Sequence, residues 1–433
     1  MPAWPEHVMW WHVYPLGFVG APIRDDVDPD AAPEHRLDRL EPWLDHVIGL
    51  GLNGLLLGPV FAAETHGYDT VDHFRIDPRL GDEDDLRRLV DGAHARGIRV
   101  LLDGVFNHVG RGHPAFRAFA DGGDDPGLFR ARRVDGRVEA DVFEGHDALV
   151  ALDHSSPAVV DLVVDVMCHW LERGVDGWRL DAAYAVPADF WAQVLPRVRE
   201  RFPDAWFLGE VIHGEAADIV RTSTIDALTQ YELWQGIWHG IADRNFFELS
   251  HAVERNDQLL ATFVPQTFVG NHDVTRIASA IGPDLVPHAL AVLFTVAGTP
   301  SVYGGDELGW TGVKEERVGG DDAVRPEFPA APPRDDELDP SALRILDAHR
   351  ALIALRRRKP WLWRAHTDVV EVTNTALSLR TAVGDDAVVV ALNIDDAPAS
   401  LPVADGVTVV AGEGAVADGR AALPPRGWLV LEA

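Results

Sequence analysis

Residues 177–184 read GWRLDAAY, a short strand pattern that ends on a carboxylate, Asp181, and runs into a loop. Similar short runs, rich in Val, Leu and Ile, recur along the chain and alternate with amphipathic helical stretches. They predict strands at residues 8–14, 54–57, 99–103, 177–180, 205–209, 227–230, 267–269 and 301–303. This alternation is typical of repeated βα units, so the sequence predicts an α/β fold, a closed (β/α)8 TIM barrel.

The repeating pattern is interrupted once and changes before the C-terminus. Residues 111–155, after the third predicted strand, are rich in Gly, Asp and Arg and predict a short inserted domain B. From residue 366 the chain shows short alternating runs separated by Gly, Asp and Pro, which predict an antiparallel β-sandwich. We therefore predict a catalytic barrel in residues 1–110 and 156–365, the inserted domain in 111–155 and a C-terminal β domain in 366–433.

Composition excludes several classes of function. A formal net charge of −31 disfavours binding to nucleic acid or to anionic membranes, because both carry negative charge. The sequence contains no uninterrupted run of eighteen apolar residues, its start lacks a signal-peptide pattern, and a single cysteine, Cys168, cannot build a disulfide framework. We expect a cytoplasmic protein with neither nucleic acid nor membrane as a partner; the oligomeric state stays open.

Four carboxylates follow predicted barrel strands: Asp103, Asp181, Glu210 and Asp273. In a TIM barrel the carboxyl ends of the strands surround one mouth, where catalytic groups lie. A single such acid could equally be a helix cap, but four like charges in one cleft raise one another's pKa and cost stability. Retaining glycoside hydrolysis needs such an arrangement, since it uses two carboxyl groups about 5–5.5 Å apart around a positively charged transition state.

The segments around these acids carry a specific resemblance. DGVFNH (103–108), GWRLDAAY (177–184), GEV (209–211) and FVGNHD (268–273) resemble, in order, the four signature regions of the α-amylase family, glycoside hydrolase family 13. HGYDTVDHFRIDPRLG (66–81) and SVYGGDELG (301–309) resemble the family's segments at the second and eighth strands. The segments HGYDT and GWRLD resemble those of cyclomaltodextrinase-like and neopullulanase-like oligosaccharide hydrolases, and the resemblance leans towards these members of the family.

The resemblance implies roles for individual residues. Asp181 corresponds to the catalytic nucleophile, Glu210 to the general acid/base and Asp273 to the group that stabilises the transition state. Residues implied to bind the sugar or to organise the site around it are Tyr68, Asp103, His108, Arg179 and His272. The implied substrate is an α-linked oligosaccharide whose α-glucosidic bond is hydrolysed with retention through a covalent glycosyl-enzyme.

Two departures from the family pattern concern the substrate. Many endo-amylases carry Lys-His where this chain has Tyr184 and Ala185, and the predicted insertion is short. Both features favour short malto-oligosaccharides or related α-glucosides over long polymers. Two alternatives stay open: a transglycosylase or isomerase of the same family acting on trehalose- or sucrose-related sugars, and a catalytically inactive sugar-binding relative.

A metal site has weaker support. Asp26, Asp28 and Asp30 place carboxylates at alternate positions of the first βα loop, as some calcium loops do, and Asn107 is a further candidate ligand. The loop has neither a glycine at the turn position nor a later glutamate at calcium-loop spacing. We expect no required cofactor, with calcium as the alternative.

Overall fold

The computed structural model describes residues 4–24, 27–28, 30–134, 137–403 and 406–433. In chain order its strands are β1 Trp10–Val13, β2 Gly54–Leu57, β3 Phe61–Ala63, β4 Thr70–Ile76, β5 Arg99–Gly104, β6 His108–Gly110, β7 Ala131–Val134, β8 Arg137–Ala140, β9 Leu149–Ala151, β10 Gly177–Leu180, β11 Trp206–Gly209, β12 Ala227–Leu228, β13 Gln266–Phe268, β14 Thr299–Tyr303, β15 His366–Val372, β16 Ala376–Val383, β17 Asp386–Asn393, β18 Ala399–Pro402, β19 Thr408–Gly412, β20 Ala415–Ala417, β21 Arg420–Leu423 and β22 Trp428–Glu432.

The helices, also in chain order, are α1 Pro15–Phe18, α2 Glu41–Leu50, α3 Glu83–Ala95, α4 Pro114–Ala120, α5 Pro157–Leu171, α6 Ala188–Arg201, α7 Ala216–Ser223, α8 Tyr231–Ala242, α9 Phe246–Leu259, α10 Ile277–Ile281, α11 Val286–Thr295 and α12 Pro340–Arg358. Their starts follow local rules. Ser156 caps α5 by accepting a hydrogen bond from the backbone N–H of Ala158, and Asp82 forms a capping box with Asp85 at α3.

Eight parallel strands form the barrel, in the order β12-β11-β10-β5-β2-β1-β14-β13. A parallel bridge between Thr229 and Gln266 joins the two ends of this order and closes the ring. The predicted TIM barrel is therefore confirmed, with the predicted strands displaced by no more than a few residues at either end. The helices bury their apolar faces against the outside of the barrel in one continuous hydrophobic core.

The barrel interior is apolar at one end and polar at the other. A plug of Val8, Trp10, Leu56, Leu101, Trp206, Leu208 and Ala227 fills the end from which the strands start, with Trp10 stacked on Trp206 at 5.8 Å. Side chains alternate along a strand, so a residue two positions after an interior residue also points into the barrel, but nearer the mouth. Asp103 follows Leu101 in this way, and Glu210 follows Leu208. This alternation brings the acids together.

Segments outside the barrel add two features. After β5, strand β6 pairs with β9, β7 pairs with β8, and a 3-10 turn at Phe143–Gly145 lies between β8 and β9. After α12, a five-stranded sheet β15-β16-β17-β22-β19 and a three-stranded sheet β18-β21-β20, both antiparallel, form the predicted sandwich. In the part of the chain that the structure describes, no helix has the length and apolar character needed to cross a membrane.

Candidate active site

Arg179 is the centre of the predicted site. Cross-strand register places it beside Asp103, and its Nη1 donates to Asp103 Oδ2 at 2.6 Å and to Asp181 Oδ1 at 3.3 Å. Its Nη2 lies 2.6 Å from Glu210 Oε1. All four side chains are buried. One guanidinium therefore binds three carboxylates from three neighbouring strands, and its shortest contacts are with Asp103 and Glu210 rather than with the predicted nucleophile.

The carboxyl group of Glu210 is held by three donors. Besides Arg179, the hydroxyl of Tyr231 donates to Oε1 at 3.0 Å and the backbone N–H of Ala182 donates to Oε2 at 3.1 Å. Asn271 Nδ2 donates in turn to the Tyr231 hydroxyl at 3.0 Å. The sequence analysis missed Tyr231; its position three residues after β12, at the first residue of α8, is the signal that could have indicated it.

Asp273 is held by a residue from a distant loop. Arg325 donates from Nη2 to Asp273 Oδ1 at 2.6 Å and from Nε to the backbone oxygen of His272 at 2.8 Å. Its guanidinium lies 4.7 Å from the centre of the Tyr14 ring. No motif indicated Arg325, because its segment of the eighth βα loop has no regular pattern and the contact is a product of the fold.

The predicted sugar-binding residues Tyr68, His272 and His108 form a connected layer beside the acids. The Tyr68 hydroxyl and His272 Nε2 share a hydrogen bond, their rings are parallel at 5.7 Å, and His272 Nε2 also lies 3.0 Å from Asp273 Oδ2. His108 Nε2 donates to the backbone oxygen of Tyr68 at 3.0 Å, and its Nδ1 accepts from Asn107 Nδ2 at 3.1 Å. Both His108 nitrogens thus have protein partners, and its contact with a sugar hydroxyl stays a prediction.

The chain is similar in sequence to known proteins. The family model described as the α-amylase catalytic domain matches residues 37–127 and 142–368. The chain belongs to the α-amylase family. A cyclomaltodextrinase from a Bacillus species is 34% identical over 339 residues, which cover 72% of this chain and 61% of that protein. The chain thus spans about three fifths of the length of this α-amylase family relative.

Two solved structures show the same fold as this chain. A structure named cyclomaltodextrinase is 28% identical and superimposes with a TM-score of 0.82, covering 100% of this chain and 78% of that one. The cyclic α-maltosyl-(1→6)-maltose hydrolase from Arthrobacter globiformis also has a TM-score of 0.82, at 24% identity, covering 100% of this chain and 99% of its own. The second likeness shows that the fold extends over the whole chain.

Burial governs the protonation of this α-amylase family site. Burial, and then the charge of Glu210, raise the pKa of Asp181 well above its usual value, although Arg179 opposes the shift. Burial also raises the pKa of Asp103 to about 6. The pKa of His108 is lowered to about 4 and that of His272 is lowered well below its usual value, in both cases chiefly by burial. The histidines are therefore neutral near pH 7, and burial favours the neutral form of Asp181 and Asp103.

The weak metal candidates have other contacts. Asp30 accepts from Arg75 at 2.8 Å, Asp28 accepts from the backbone N–H of Asp30 at 3.0 Å, and Asn107 is buried beside His108. Asp26 lies outside the described residues. The cluster His35, Asp82 and Asp85 has metal-like spacing, but its members bind one another and Arg88 at the start of α3. A calcium site stays a prediction.

We expect the dependence of kcat/KM on pH to be bell-shaped, because Asp181 has to be ionised and Glu210 protonated when the bond breaks. Burial and the charge of Glu210 raise the pKa of Asp181, so the acid limb, which follows the ionisation of Asp181, lies above the range of an exposed carboxyl group. In Glu210→Gln the neighbouring charge is gone, so the pKa of Asp181 falls and the acid limb moves to lower pH. Rates with an aryl α-glucoside, whose leaving group needs no acid, test this; an unchanged acid limb in the variant contradicts it.

Proposed function

We propose that the protein is a retaining glycoside hydrolase that cleaves α-glucosidic bonds. The observation that carries this proposal is the binding of Asp181 and Glu210 to one buried guanidinium at the barrel mouth, with contacts of 3.3 and 2.6 Å. This places the two carboxyl groups within the span of a single arginine, as a double displacement requires. Asp273 is joined to the same site through His272 and Tyr68.

We infer the following roles for the three acids in such a reaction. In the first step Asp181 attacks the anomeric carbon while Glu210 transfers its proton to the glycosidic oxygen, so the leaving sugar departs neutral and a covalent glycosyl-aspartate forms. In the second step Glu210 takes a proton from water, which attacks the same carbon and releases Asp181. Asp273 stabilises the positive charge that develops on the sugar in both transition states. Two inversions leave the configuration unchanged.

Short malto-oligosaccharides are the substrates we propose. The relative that is 34% identical is named cyclomaltodextrinase, and the mouth of this chain is bounded by a short insertion with Tyr184 beside it. Transglycosylation and isomerisation would use the same residues, and product analysis with maltotriose, sucrose and trehalose distinguishes them from hydrolysis. A cytoplasmic location stays a prediction. The chain's single cysteine, Cys168, is buried and forms no disulfide.

We expect kcat/KM to be higher for maltotriose than for soluble starch and to be unaffected by EDTA. A few strong contacts at the cleavage point, rather than a long row of weak sugar sites, provide the binding energy in such an enzyme. Reducing-sugar release from maltotriose, maltoheptaose and starch, with and without EDTA, checks both statements. A steep rise in kcat/KM up to starch, or an activity that EDTA removes and calcium restores, would replace this proposal with an endo-amylase.

A further inference from the structure

Glu144 and Tyr184 connect the inserted segment to the barrel mouth. The Tyr184 hydroxyl donates to Glu144 Oε1 at 2.8 Å. Glu144 lies in the turn Phe143–Gly145, after β8, and Tyr184 lies in the turn Ala183–Ala185, three residues after Asp181. We call this hydrogen-bonded pair the clasp. It spans from the segment that follows the third barrel strand to the loop that follows the fourth.

Aromatic contacts hold both ends of the clasp. Phe143 stacks on His108, with ring centres 4.8 Å apart and planes inclined by 16°. The ring of Tyr184 packs against His213 at 4.8 Å, and His213 follows Glu210 by three residues. The clasp and these ring contacts therefore connect residues that follow three neighbouring barrel strands, the strands that carry Asp103, Asp181 and Glu210 at their ends.

The backbone of Glu144 has a conformation that is unusual for this residue type. Its φ of 48° and ψ of 32° are left-handed, a conformation that glutamate rarely adopts and that the surrounding contacts have to maintain. Burial and the hydrogen bond to Glu144 raise the pKa of Tyr184, so its hydroxyl stays a neutral donor at the pH of catalysis. The segment is thus held in a strained turn in which Glu144 contacts Tyr184.

The position of the clasp indicates which part of the substrate it restricts. The acid that protonates the leaving oxygen lies on the side of the cleft where the leaving group binds. The sugars of the leaving group therefore lie beside the loop that carries Glu210 and His213. We propose that the clasp closes the leaving-group side of this cleft and restricts the enzyme to short leaving groups. The inference rests on the proposed function and names the substrate class of the same site.

The test removes the hydrogen bond from each side. Tyr184→Phe removes the hydroxyl that donates the hydrogen bond and keeps the aromatic ring against His213. Glu144→Asn shortens the side chain that accepts the hydrogen bond and introduces a residue that tolerates a left-handed backbone. In both we expect the ratio of kcat/KM for maltoheptaose to that for maltotriose to rise about threefold or more, which corresponds to about 0.65 kcal/mol or more. The rate with 4-nitrophenyl α-glucoside, which has no sugar on that side, is expected to stay within about twofold.

The matched control is Glu139→Gln. Glu139 is an acid of the same insertion, lies on β8 and pairs with Arg132 at 2.9 Å, away from the clasp. It is expected to leave the ratio unchanged. The double variant Tyr184→Phe/Glu144→Asn is expected to equal either single variant, since both remove one interaction. Equal melting temperatures confirm that all variants are folded.

Two results would overturn the inference: an unchanged ratio in Tyr184→Phe, or additive effects in the double variant. Failure of the proposed function is seen separately, as absence of hydrolysis of every sugar by the wild-type protein. In that case calorimetric affinities for maltoheptaose and maltotriose, in the wild type and in Tyr184→Phe, replace the rates. A threefold rise in the affinity ratio then supports the clasp, and an unchanged ratio overturns it.

Discussion

Asp181→Asn and Glu210→Gln are each expected to lower kcat on maltotriose by at least about a thousandfold, because Asp181 forms the covalent intermediate and Glu210 transfers the proton to the leaving oxygen. Both side chains are buried at the mouth and bound to Arg179. Initial rates measured at the optimum pH, with protein purified from any wild-type contamination, check this. A rate within tenfold of wild type in either variant contradicts the assignment.

Asp161→Asn is a suitable control for this prediction. Asp161 is an exposed acid on α5 that pairs with Arg197 at 2.8 Å, and its loss is expected to leave kcat unchanged. Asp273→Asn is expected to be severely impaired as well. Proton NMR of the first product gives an independent check: the α-anomer has to appear before mutarotation, whereas a β-anomer would show a single displacement and an inverting mechanism.

Arg179→Met is expected to lower the free energy of unfolding by about 3–5 kcal/mol, since it leaves Asp103, Asp181 and Glu210 buried without their common countercharge. The loss is expected to depend on pH. Without the guanidinium the folded-state pKa values of Asp103 and Asp181, already raised by burial, rise further, so the variant keeps its stability at low pH and loses it as the pH rises through those values. Urea unfolding at pH 5 and pH 8 measures both effects.

The control for this variant is Arg197→Met, which removes an exposed arginine whose pair with Asp161 is solvated at both ends. A change within about 0.5 kcal/mol is expected there, because exposed ion pairs contribute little. A loss of stability in Arg179→Met that is no larger than in Arg197→Met, or that is the same at both pH values, would show that the three carboxylates do not depend on this arginine.

Local pattern was sufficient to predict the barrel strands but not every later strand. Gly54–Leu57 and Gly177–Leu180 were predicted with their observed bounds, because an apolar run bounded by glycine or a polar loop is a local signal. In the C-terminal domain the sequence predicted the sandwich but no bounds for the short strands Ala399–Pro402 and Ala415–Ala417. Such short, Gly- and Pro-flanked segments become strands only when a neighbouring strand supplies their hydrogen bonds.

The basic run that starts at Arg356, at the end of α12, gives a further example. Basic residues in the last turn of a helix favour interaction with the helix dipole. Arg356, however, is buried and donates to the backbone oxygens of Phe294, Val296 and Gly298. These carbonyls come from a segment about sixty residues earlier. A charge pattern on one helix carries no information on which distant backbone groups the fold leaves for it to bind.

The sequence by itself determined the barrel, the family resemblance and the order of the acids Asp103, Asp181, Glu210 and Asp273, because each of these depends on residues close together in the chain. Only the tertiary structure decided that one guanidinium binds three of those acids, that Tyr231 holds Glu210 and that Arg325 holds Asp273. Those contacts join residues from different strands and loops. Their distances and burial depend on how the closed barrel brings separate loops to one mouth, which no local pattern specifies.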